Sequence, residues 1–130
     1  MDKLAWLPSF EVGVDRIDNE HKNLFELARR IPHELEAGDG APVTRFIEAV
    51  EQHFEQEERI LESSGFPGLE EHKRYHRSLL RKARQLQRLC ESERNRGKID
   101  RCYIEVVGFL LDDIVRGDMN FKSHLEFHGS

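Results

Sequence analysis

Residues 53–76 read HFEQEERILESSGFPGLEEHKRYH, and the way this stretch folds decides the architecture of the whole chain. At its centre, Gly65-Phe66-Pro67-Gly68 is the sharpest break in the sequence, since glycine and proline together interrupt helical geometry. On both sides lie charge-rich segments with apolar residues at helical spacing. His53 and Glu57 are four residues apart before the break, and His72 and His76 are four apart after it. At about 3.6 residues per turn, each pair shares one helix face. Glu57 and His76 stand at similar distances from the turn, so an antiparallel hairpin brings them to the same depth.

The same periodicity extends outward. Upstream, Leu24, Phe25, Leu27, Ala28, Ile31 and Leu35 predict an amphipathic helix to about Ala37, with Asp18 as its cap, His21 on its first turns and Pro32 kinking or loosening it. Gly38-Asp39-Gly40 reads as a turn, and Pro42 suits the first position of a second helix reaching about Ser64. The third helix is expected from about Leu69 to Glu93, with Asn95-Arg96-Gly97 ending it. A fourth starts near Ile99, with Tyr103, Ile104, Val107, Leu110, Leu111 and Ile114 facing inward. Ahead of all four, residues 1–17 form an extended arm whose Trp6 and Phe10 pack onto the domain. The expected fold is all-α, an antiparallel up-down four-helix bundle in a single domain of 130 residues, with the bundle over about 18–122.

Composition narrows the function classes. The net charge of −5 argues against nucleic acid, although Arg74, Arg77, Arg81, Lys82, Arg84 and Arg88 cluster on the third helix; they read as a solvated face. No stretch approaches the roughly 20 apolar residues of a membrane span, and the N-terminus lacks the apolar core of a signal peptide, so a cytoplasmic protein without a membrane partner is expected. Cys90 and Cys102 are isolated, with no C-x-x-C, and are read as reduced thiols.

Seven histidines are many for this length. Two imidazole-bearing helices that present a carboxylate at one level make the inward-pointing metal site that bundles build; the competing reading is histidines decorating exposed faces. His33, His124 and His128 belong to no such set and are read as solvated. The metalloprotease pattern H-E-x-x-H is absent, because His33-Glu34 is followed by Leu35-Glu36-Ala37, and there is no nucleotide-type glycine loop.

Taken together, these motifs have a recognisable order. Trp6, Phe10, Val12-Gly13-Val14, Ile17-Asp18, His21-Lys22 and Leu24-Phe25 are followed by His53-Phe54, Glu57-Glu58, Gly65-Phe66-Pro67, His72, His76 and Asp118. In order and spacing the chain resembles the hemerythrins, and among them the bacterial hemerythrins, over nearly its whole length. The resemblance implies two non-haem irons bridged by an oxo or hydroxo group, with His72 and His76 on one iron, His21 and His53 on the other, and Glu57 and Asp118 bridging. It also implies dioxygen or a related small ligand as the partner, bound at an open position on the second iron in an apolar pocket. An oxygen-binding rather than a catalytic role is implied, and a monomer is expected.

The chain departs from the family at one ligand. The family places a third histidine five residues before the bridging aspartate, and here that position is Asp113, followed by Ile114. Phe109 stands where the family often has tryptophan and Phe121 where it often has tyrosine, so the register holds, although a shift of one residue would select Asp112. Positions five apart lie about 140° apart on a regular helix, so a widened turn or a helix end near Gly117 is needed for both to face one metal pair. Asp113 either binds iron, adding a negative oxygen donor that favours the ferric state, or is too short to reach and leaves the position to water. Both readings point away from long-lived oxygen storage. They lead towards altered coordination, with oxidase or peroxidase turnover, a metal-responsive sensor module, or a site reduced to one metal, zinc or none as alternatives.

Overall fold

The computed structural model describes residues 13, 15–38, 41–91 and 96–118; the side chains of residues 96–98, 113, 115 and 118 are not among them. The readings made for Trp6, Phe10, Phe121, His124 and His128 fall outside the described residues. Helix α1 spans Asp15–Glu36, α2 Pro42–Ser63, α3 Leu69–Glu91 and α4 Arg96–Gly108; a π-helical segment, Phe109–Val115, then leads into a last turn, α5, Arg116–Asp118. Helices α1 and α2, α2 and α3, α3 and α4, and α4 and α1 pack against one another, which closes the ring of an up-down four-helix bundle.

Each boundary has a local cause. Helix α2 opens on Pro42, whose missing N–H is no loss at a first helical position. It closes on Gly65 at φ 71°, a left-handed conformation that glycine adopts without a Cβ clash. There Phe66 N–H donates to Leu61 O at 3.0 Å and Gly65 N–H to Glu62 O at 3.1 Å, the paired bonds of a Schellman ending. Phe66 also packs with Leu61, Ile17, Ile60 and Leu69 in a small apolar cluster at this end of the bundle.

Several expectations change. Ile104, read as facing inward, is 58% exposed, and Arg96 and Gly97, read as ending the third helix, open α4 instead. Asp18 lies inside α1 instead of capping it, because the helix already begins at Asp15; its buried Oδ2 reaches back to accept the Gly13 N–H at 3.2 Å. Pro32 lies inside α1, whose helical run continues from Asp15 to Glu36. Cys90 and Cys102 are joined in a disulfide, not reduced. The last turn of α3 and the early part of α4 bring their Cα atoms to 5.1 Å, within disulfide reach, and both are buried. They are 12 residues apart in sequence, and no motif signals that proximity.

The large core runs from Leu24 through Leu35 on α1, Val43 through Phe54 on α2, Leu79 through Cys90 on α3 and Ile99 through Ile114 on the fourth arm of the bundle. Phe46 and Phe109 meet edge to face across it, with ring centroids 6.4 Å apart. Between this core and the small cluster at the hairpin end lies a layer of buried polar side chains: His21, His53, Glu57, His72 and His76. The order is the same along three helices: Ile17, His21, Leu24 on α1; Leu61, Glu57, Phe54 on α2; Leu69, His72, Leu79 on α3. A polar layer is thus enclosed by apolar ones on both sides.

Candidate metal centre

Helical spacing aims these residues. His53 and Glu57 are one turn apart on α2, His72 and His76 one turn apart on α3, and α1 presents His21 from the other flank. All five are at most 2% exposed. Such burial is costly for a carboxylate unless it is paired or binds a cation.

The donors form two groups that share Glu57: His21, His53 and Glu57, and Glu57, His72 and His76. On one side, His72 Nε2 is 2.8 Å and His76 Nε2 2.9 Å from Glu57 Oε1. On the other, His53 Nε2 is 3.0 Å from Glu57 Oε2, and His21 Nε2 is 3.1 Å from His53 Nε2. Metal–donor bonds of about 2.1 Å place adjacent donors of an octahedral ion about 3 Å apart, which is the spacing these atoms keep. Despite the 3.0 Å approach of His53, Glu57 Oε2 accepts no hydrogen bond among the described residues. The two atoms lie side by side as co-ligands do.

The far ring nitrogens explain why. His53 Nδ1 donates to Glu20 Oε1 at 2.8 Å, and His76 Nδ1 donates to Glu58 Oε2 at 2.6 Å. A neutral imidazole that donates from Nδ1 presents a lone pair at Nε2. In both rings that lone pair faces a Glu57 oxygen, an arrangement that a cation between them resolves. Carboxylate–histidine pairs of this kind hold a ligand ring in its metal-binding tautomer. Phe54 stacks on His76, with centroids 3.9 Å apart and planes 7° apart, so the ring is fixed by packing as well. The residues present fit a pair of metal ions that share Glu57.

The sequence reading did not assign roles to Glu20 and Glu58. Their signal is generic: a ligand histidine calls for a carboxylate on its far nitrogen, but sequence spacing does not say which one. The backbone of Asp113 lies in the π-helical segment and that of Asp118 in α5; their side chains are outside the described residues. At the end of the π segment Arg116 N–H donates to Leu111 O, a bond across five residues. This is the widened turn that the five-residue spacing of Asp113 and Asp118 calls for. Asp112 is exposed, as is His33.

Two openings approach the centre. A polar cavity of about 280 Å³ between α1 and α2 is lined by Arg16, Glu20, His53 and Gln56, with Arg16 bonded to Gln56 at 2.7 Å. A wider groove lies between α3 and the segment leading into α5, and His72 is part of its wall. No helix among the described residues is long and apolar enough to cross a membrane.

Comparison with known proteins agrees with this geometry. A bacteriohemerythrin of Clostridium acetobutylicum is 36% identical over 86 residues, covering 60% of this chain and 67% of its own. A myohemerythrin of Riftia pachyptila is 31% identical over 82 residues, covering 63% of this chain and 67% of its own. A bacteriohemerythrin of Stenotrophomonas maltophilia is 26% identical over 87 residues, covering 63% of this chain and 56% of its own. No solved structure matches with significance. The model of the hemerythrin HHE cation-binding domain matches residues 12–122, a span that contains all five buried ligand candidates, Asp113 and Asp118, and the chain therefore belongs to the hemerythrin family.

Proposed function

We propose that the chain is a non-haem di-iron protein that binds dioxygen or a related small ligand. The observation that carries this reading is the buried Glu57, shared by two histidine pairs at donor spacing, with one of its oxygens accepting no hydrogen bond among the described residues. His72 and His76 would hold one iron and His21 and His53 the other, with Glu57 and Asp118 spanning the two. The irons, when bound, supply the electrons and the open position for a diatomic ligand.

The residues around them set the terms. Glu20 and Glu58 keep His53 and His76 in the tautomer that offers Nε2. Phe54 and the apolar layers on either side exclude bulk water from the polar layer. Asp113 stands where the family has a histidine. As a ligand it adds a negative charge and a hard oxygen donor, favouring the ferric over the ferrous state. The centre is accordingly suited to rapid oxidation, or to turnover of dioxygen or peroxide, more than to durable oxygen carriage.

The test compares wild type with Asp113→His, measuring iron per chain and dioxygen-dependent visible absorption. Wild type should bind a pair of irons and change spectrum irreversibly on exposure to dioxygen, whereas Asp113→His should give a change that reverses when dioxygen is removed. A reversible, long-lived response in the wild type would overturn the ferric-leaning reading. Iron well below two per chain after iron-replete expression would overturn the di-iron reading itself.

A further inference from the structure

The groove beside His72 is broad and open to solvent, with a volume of about 950 Å³. Helix α3 supplies one wall through His72, Arg74, Tyr75 and Ser78, and Arg116 and Gly117 of α5 supply the other. Gly117 has a steric reason to lack a side chain: a Cβ there would lie 2.6 Å from a Tyr75 ring carbon and 2.8 Å from its hydroxyl oxygen. The Tyr75 ring therefore rests directly on the opposite wall. Its centroid is 6.0 Å from that of His72, with the two rings tilted by 42°, so Tyr75 stands between the groove and the edge of the candidate metal centre.

The charges are arranged across the groove. Arg74 lines the groove from α3 and Arg116 from α5, and Glu71 and Asp112 line the same space. Neither arginine is tied to a carboxylate among the described residues, although both acids are at hand. Arginines on facing walls of one groove suit a carboxylate, whose two oxygens each accept from a guanidinium. The two acids disfavour a multiply charged anion and can accept hydrogen bonds from a hydroxyl or amino group on the same ligand.

We propose that this groove is a binding site for a small organic acid bearing a hydroxyl or amino group, with its carboxylate held by Arg74 and Arg116 and its body directed along Tyr75 towards His72. The site is distinct from the polar cavity at Glu20 and His53, which opens on the other flank. It places an organic molecule beside His72. The walls belong to the chain itself, so the inference does not rest on the di-iron reading.

The experiment is calorimetric titration of 4-hydroxybenzoate into the iron-loaded chain and, in parallel, into the chelator-treated chain. Saturable binding with a Kd of about 1 mM or tighter is expected. The neutral 4-hydroxybenzamide should bind at least about tenfold more weakly, and Arg74→Gln and Arg116→Gln should each weaken 4-hydroxybenzoate about tenfold. Iron content and melting temperature should be unchanged in both variants. Ser78→Trp, which fills the exposed rim and leaves both charges in place, should abolish binding. No saturable binding, equal binding of the amide, or binding that survives both arginine substitutions would overturn the proposal. Failure to load iron, with acid binding intact, counts against the di-iron reading and leaves the groove standing.

Discussion

At the scale of single residues, the informative atoms are the ones that face away from the centre. Glu58 and Glu20 hold the Nδ1 sides of His76 and His53, and both are only partly buried. They can therefore be altered without opening the core. Glu58→Gln keeps an acceptor near Nδ1 but removes the charge that raises imidazole basicity, and the metal affinity of the chain should fall about 10- to 100-fold. Competition with a chromophoric chelator measures this directly, and an unchanged affinity would make Glu58 a bystander. The same residues show how far the sequence could be read. His53, Glu57, His72 and His76 announced themselves by a four-residue period on either side of one turn, and His21 by its place in a family motif. The pairing of Glu20 with His53 joins residues 33 apart and that of Glu58 with His76 residues 18 apart, so it depends on how whole helices rotate against each other. No local pattern carries that information.

At the scale of elements, the two ends of the fourth arm behave differently. Its C-terminal half was partly legible: two aspartates five residues apart call for a widened turn or a helix end if both face one metal pair, and Phe109–Val115 is π-helical. Its N-terminal half was not. Cys90 and Cys102 are 12 residues apart in sequence and belong to no motif, yet α3 and α4 bring them together. Closing a loop of this length should stabilise the fold by about 3 kcal/mol in a chain-entropy account. Thermal unfolding with and without reductant tests this: the wild type should melt several degrees lower when reduced, and Cys102→Ser should melt at that lower temperature whether or not reductant is present. A reductant-insensitive wild type would show that the cysteines remain thiols in solution.

At the scale of the molecule, a polar layer divides the interior into a large apolar core and a small one. The large core joins α1 to α4 without help from the layer, so the bundle should remain helical when the metal is removed. The layer itself should not be indifferent to that removal. Without a cation, the Nε2 lone pairs of His53 and His76 face the oxygens of a fully buried Glu57, a contact that the layer must relieve by rearranging or admitting water. Binding to the folded state alone stabilises it by about 4 kcal/mol when free metal exceeds its dissociation constant a thousandfold. Chelation should therefore leave the far-ultraviolet circular dichroism nearly intact while lowering the melting temperature by several degrees, and restoring ferrous iron under anaerobic conditions should reverse the loss. The control is His76→Leu, which removes a donor but keeps an apolar group against Phe54: its metal-free form should be at least as stable as metal-free wild type, and its response to iron should be reduced. A wild type whose melting temperature ignores both chelation and iron would mean that the histidine layer is a hydrogen-bonded structural element, and the metal reading of this bundle would have to be given up.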